Sequence, residues 1–215
     1  YFHLLQLSIE ITRYAEQRIE ARRSKLRPTE EDLNPNTRFI DNRFVKQLSE
    51  NVNLKDYLAE RKLSWVNYPE LVKDLYDKIV TSDFYQEYMD AKTSDYDADK
   101  DIWRKIYKKI VLMDEEFDES LEEQSIFWTD DLEIVVSFVI KTIKKFEEAN
   151  GKEQELLPMF RDEEDREFAR KLLLTTLQNE DEYLKIIDDH TKNWELDRIA
   201  FMDILIMQTA IAEVC

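Results

Sequence analysis

Few side chains in this sequence have the types and spacing for metal or covalent chemistry. Asp95, Asp97 and Asp99 alternate like the first ligands of a helix-loop-helix calcium site. That loop needs Gly at its sixth position and a bidentate Glu at its twelfth, where Lys100 and Ile106 stand, so an acidic turn at a helix start is expected instead. Carboxylate-bridged di-metal bundles need two Glu-x-x-His pairs. His3 and His190 are the only histidines, and neither has Glu three residues earlier. One cysteine, Cys215, and two distant histidines make no zinc set. No acid/base pair stands out among 48 acids. No catalytic residue, metal or cofactor is therefore assigned, and a non-enzymatic protein is expected.

Other residues suit binding. Arg13, Arg18, Arg22, Arg23, Lys25 and Arg27 form a basic run that either contacts phosphate or is a solvated helix end. From Asp114 to Glu123 there are seven acids and no base, while Phe117 and Leu121 keep helical spacing. That is a solvated helix face or, alternatively, an anion-mimicking partner site. Asp203 is an acid inside the most apolar stretch, Ile199 to Val214. Burying it unpaired would cost on the order of several kcal/mol or raise its pKa. It must therefore meet Arg198 or another base, an exposed edge, or a partner protein.

The elements that carry these residues are helices. The 215 residues hold one Gly and four Pro, and strand-rich folds and phosphate-binding loops need more glycine than that. An all-α fold is expected, and Rossmann, P-loop and nucleophile-elbow enzymes are excluded. A net charge of −17 argues against wholesale binding to nucleic acid or anionic lipid, though it permits a local basic patch. No signal peptide or membrane span is found, and no internal disulfide can form, which points to the cytoplasm. The chain lacks an initial Met, opens on an apolar run and stops at Cys215 without a helix stop signal. Its numbering is expected to begin and end inside helices of a longer protein.

Periodicity predicts an amphipathic helix over 1–26, a loop from Pro28 to Asn36, and a short helix capped by Thr37. Further starts are expected at Asn67-Tyr68-Pro69-Glu70, after Ser82-Asp83, after the acidic turn at 95–101, and at an Asp130/Glu133 capping box. Asn150-Gly151 should close that last helix in a left-handed cap. Helices around 168–177 and 183–191 follow. Ile199–Val214, interrupted only by Asp203, Gln208, Thr209 and Glu213, is apolar on nearly all sides, so it is expected to be the buried central helix of the bundles. The division expected is 1–150 and 151–215.

The last fifty residues carry a resemblance. Phe168-Ala169-Arg170-Lys171-Leu172-Leu173, a polar helix ending in Asn193-Trp194, then Leu196-Asp197-Arg198-Ile199, and Asp203 through Ala210 to Glu213-Val214 follow in order. Together they resemble NusB-type transcription antitermination factors, whose pattern is F-x-R-x-L-L, a helix closing in W, R-I, and D-R-x-I-L-R-x-A-x-x-E-L. The departures are Ile204 and Gln208 where that pattern has arginines, and Thr175 where its earlier helix has Gly. The family's Arg-rich first helix and final two helices have no counterpart here.

The resemblance implies a helical insertion before a NusB-like core at 151–215. It also implies a non-enzymatic role: binding a boxA-type RNA element with the ribosomal protein NusE, and acting through them on the RNA polymerase elongation complex. Asp203 falls at an acidic position on the ribosomal-protein face, with Asp197 a second candidate there. A homodimer is allowed, and no membrane partner is implied. The competing reading is an acidic helical scaffold that binds proteins without RNA.

Overall fold

A computed structural model describes residues 1–93, 95–125, 128, 131–191 and 198–214. The described elements are helical, and they fall into two compact units, Tyr1–Leu157 and Pro158–Cys215.

In the first unit, α1 (Phe2–Arg23) buries Leu4, Leu5, Leu7, Ile11 and Ala15 at helical spacing. The expected loop after it contains one short turn, α2 (Glu30–Leu33), because Thr29 and Asp32 cap it reciprocally. Asn42, rather than Thr37, caps α3 (Arg43–Glu50): its side chain accepts from the Val45 N–H at 3.0 Å. Asn51 starts α4 (Val52–Arg61) in the same way. Pro69 opens α5 (Pro69–Val80) at the position where its missing N–H costs nothing, and α6 (Asp83–Asp90) follows the break at Ser82.

The acidic turn resolves into a cap and a helix. Asp95 accepts from the Ala98 N–H at 2.7 Å, and α7 (Tyr96–Lys109) already includes Asp97 and Asp99. Asp114 caps the acidic α8 (Glu115–Gln124), which buries only Phe117 and Leu121. Asp131 precedes α9 (Leu132–Lys145) with no side-chain cap, while Asp130 of the expected capping box lies outside the described residues. α9 ends at Phe146 in extended backbone, earlier than Gly151. Gly151 (φ 50°, ψ −139°) instead kinks a 3₁₀ segment, Glu148–Glu153. Gln47 and Asn51 hold that segment through donors to the carbonyls of Glu147, Gly151 and Gln154.

The core of this unit is built on α1 and α7. α1 packs on α3, α4, α5 and α9, and α7 packs on α3, α6 and α9. Trp103 stacks on Phe39 at 5.4 Å, and Trp65 stacks on Phe117 at 5.8 Å. The buried Tyr107 hydroxyl bonds to Ser8 at 2.8 Å and donates to the Leu4 carbonyl, joining the two central helices. Lys100 at the start of α7 donates to the carbonyl of Phe146 just past α9 at 3.2 Å, so these two helices run antiparallel.

In the second unit, α10 (Glu163–Gln178) and α11 (Glu180–His190) pack on α12 (Phe201–Val214). The expectation that this last apolar helix is the buried centre is overturned. Of α12 only Gln208 is buried, whereas Phe201, Met202, Ile206 and Val214 are 72, 62, 62 and 88 % exposed. A helix that meets two neighbours buries one stripe, and an all-round apolar sequence then leaves its remaining sides in water. The all-helical class holds, but its buried centre lies in α1 and α7.

Candidate nucleic-acid and partner interfaces

The basic run occupies the distal part of α1 and the residues after it. Ala15 is the last buried residue of that helix, and beyond it Arg18, Arg22 and Arg23 are exposed with Lys25 and Arg27. The structure divides the six by charge compensation. Arg13 pairs with Glu10 at 3.0 Å, Arg23 with Glu20 at 2.9 Å, and Lys25 with Asp32 at 3.1 Å. The Thr29 N–H first, and Lys25 after it, hold the Asp32 carboxyl below its ordinary range. Arg18, Arg22 and Arg27 make no ion pair among the described residues.

Arg18 and Arg22 share a helix face with Tyr14, since positions four apart are neighbours. Tyr14 meets Tyr76 of α5 edge-on at 5.3 Å. Burial raises the Tyr76 pKa, and the fields of Arg22 and Arg18 oppose that rise. Two uncompensated guanidiniums thus flank a half-buried tyrosine pair.

Asp203 lies in the other unit, exposed in the first turn of α12, where an acid also suits the helix dipole. Water solvates it, so the desolvation problem foreseen from its apolar surroundings does not arise. Asp197 and Trp194 lie outside the described residues. Beside Asp203, Met202, Ile206 and Ala210 form an exposed stripe at four-residue spacing. Phe168, Leu173, Leu174 and Leu177 of α10 are exposed as well, between 42 and 61 %. So much large apolar surface on one small unit is the kind that marks association sites.

The sequence assigned no binding residue to α9, yet Ile134 and Phe138 are 55 and 41 % exposed, and Lys141, Lys144 and Lys145 are exposed around them. The only sequence signal for this face was that apolar residues exceed one stripe of the helix. Among the described residues, no helix is long and apolar enough to cross a membrane.

Fold and exposed features together define an all-helical protein with a basic stretch on α1 and exposed apolar residues on α9, α10 and α12. Residues 133–215 match the model of the NusB family. The transcription antitermination protein NusB of Finegoldia magna is 36 % identical over 50 residues, covering 23 % of this chain and 36 % of that protein. The protein of the same name from Salinibacter ruber is 33 % identical over 81 residues, covering 35 % of this chain and 51 % of that protein. The chain thus spans between about a third and about half the length of the curated relatives it matches. No solved structure matches it significantly. The segment that is similar to the NusB family begins within α9 of the first unit.

Proposed function

We propose that this chain acts in transcription antitermination, binding a boxA-type RNA element together with the ribosomal protein NusE and acting through them on the RNA polymerase elongation complex. The observation that carries this reading is the family match over 133–215, joined by two relatives that are both named transcription antitermination protein NusB. The role is one of binding in the cytoplasm, without catalysis. Asp203, with Asp197, marks the NusE-facing side, and the exposed apolar stripe beside Asp203 supports that assignment. In the basic run Arg13, Arg18, Arg22, Arg23, Lys25 and Arg27, phosphate contact falls chiefly to Arg18 and Arg22, which have no carboxylate partner to displace among the described residues.

A gel shift of the full-length protein with boxA-like RNA, with and without NusE, tests the reading. A NusE-dependent complex at moderate salt is expected, and its absence overturns it. The exposed apolar faces of α10 and α12 favour one second reading, a scaffold that binds only proteins, including a homodimer. Partners retained after nuclease treatment, with no RNA shift, would establish that alternative.

A further inference from the structure

We propose that the outer face shared by α7 and α9 holds single-stranded RNA, with lysines on the phosphates and Phe138 under a base. This rests on the reading of the chain as an RNA-binding factor, and it places a contact away from the basic run of α1.

Lys100, Arg104 and Lys108 stand at four-residue steps and form one stripe along α7. Lys100, Arg104 and Lys144 line the same open cleft between α7 and α9. The Lys100 bond to the Phe146 carbonyl sets the register. Eight residues further along, about 12 Å at 1.5 Å per residue, Lys108 comes level with Phe138 on the antiparallel α9. There the Lys141 ammonium lies 5.2 Å from the Phe138 ring centroid.

The acids that line this cleft are already engaged. Asp95 caps the helix, Asp97 pairs with Lys100 at 2.8 Å, and Asp101 pairs with Arg104 and Lys105 at 3.3 and 3.0 Å. Lys108, Lys141 and Lys144 make no ion pair among the described residues. The Nε–H of Arg104 is buried without an acceptor. In a chain of net charge −17, three ammoniums without a carboxylate partner among the described residues, on two helices packed together, are unusual.

Helix dipoles account for part of this, since Lys108 and Lys144 lie in the last turns of their helices. They do not account for Lys141, nor for an aromatic ring left 41 % exposed among lysines. Cations that track a backbone beside an exposed aromatic ring are the combination that binds single strands without reading base edges. The two rows of charge lie on different helices, so the face exists only once α7 and α9 are packed.

The test is fluorescence anisotropy of the full-length protein with a labelled single-stranded boxA-like RNA across a salt series. Lys108→Ala/Lys141→Ala/Lys144→Ala should weaken binding at least tenfold at moderate salt. It should also lower the slope of log affinity against log salt by about 2, at ~0.7 per lost phosphate contact. Phe138→Ala should weaken binding about tenfold with the slope unchanged, and Phe138→Tyr should restore it. Lys55→Ala/Lys92→Ala/Lys171→Ala is the charge-matched control and should stay within twofold. Each variant should keep the wild-type melting curve by circular dichroism.

If the wild type binds RNA and the triple variant and Phe138→Ala both bind as tightly, the RNA runs elsewhere; this inference falls while the proposed function stands. If the wild type binds no RNA, both fall. If the variants keep RNA binding but lose capture of an acidic protein, the face is a protein interface and the inference is overturned.

Discussion

The hydroxyl of Tyr88 donates to the carboxylate of Asp99 at 2.7 Å inside the core of the first unit. Asp99 is 1 % exposed and also accepts the Arg43 backbone N–H at 2.9 Å, with the Arg43 guanidinium at 3.5 Å. Asn42 adds donors to Tyr88 and to the Asp99 carbonyl. One acid of what resembled a calcium loop therefore clamps α3, α6 and α7 together. Burial, and after it the Asp99 carboxylate, push the Tyr88 hydroxyl pKa well up, keeping it a donor at all ordinary pH. Asp99→Ala should destabilise the unit by about 3 kcal/mol, because it orphans a buried hydroxyl and a helix-start N–H. Tyr88→Phe should cost about 1–2 kcal/mol. Urea unfolding followed by circular dichroism measures both, and equal small effects would show that the clamp carries little stability.

Ile206→Asp separates stability from binding. Ile206 is 62 % exposed, so a carboxylate there stays solvated and should change stability by no more than about 0.5 kcal/mol. NusE capture should nonetheless fall, because the stripe beside Asp203 gains a charge. Ile187→Asp, at a residue 4 % exposed, should cost about 3 kcal/mol or more. A melting temperature lowered by many degrees in Ile206→Asp would mean that α12 is buried in solution.

His3 stacks on Trp65 at 4.1 Å, and burial lowers its pKa to about 4. Between about 6.5 and 4 the unfolded chain takes a proton that the folded chain refuses. Stability from this group is complete above pH 6.5 and declines as pH falls through that window. Allowing for solvent screening of a partly buried ring, the loss is about 1–2 kcal/mol. His3→Gln should flatten the fall in melting temperature between pH 6.5 and 4; an unchanged slope assigns the fall to carboxylates.

Gly151→Ala tests backbone conformation alone. A Cβ at Gly151 would meet nothing within 4 Å, yet φ of 50° with ψ of −139° is a glycine conformation. The substitution should cost about 1–2 kcal/mol, or else pull the 3₁₀ segment away from Gln47 and Asn51. Denaturant midpoints read the first outcome, and amide exchange in 147–154 reads the second.

The charge division along α1 is testable in the same way. Arg18→Ala/Arg22→Ala should weaken RNA binding, and Arg13→Ala/Arg23→Ala should weaken it less, because the latter pair already serves Glu10 and Glu20. Competition binding at fixed salt decides it, and equal losses would show that the ion pairs open freely on binding.

Much of the fold was legible because helix signals are local. Apolar spacing placed α1, α5, α7 and α9, and Pro69 and Ser82 marked starts that the structure keeps. Caps were legible less often. Thr37 gave way to Asn42, whose amide also bonds across to Tyr88 and Asp99, so a tertiary contact decided between two local candidates. The basic run was visible as a run, but which arginines are uncompensated depends on Glu10, Glu20 and Asp32 coming within reach.

The sequence by itself determined that the chain is helical, where most helices begin, and that its last segment is NusB-like, because glycine content, periodicity and motif order are properties of neighbouring residues. Only the tertiary structure decided which apolar helix is the core and which charges share a face. Burial is a sum over neighbours: α1 and α7 are surrounded in their unit, while the more apolar α12 packs on two helices and keeps its Asp203 side in water. The lysines of α7 and α9 lie more than thirty positions apart in the chain and become one surface only when the two helices pack antiparallel.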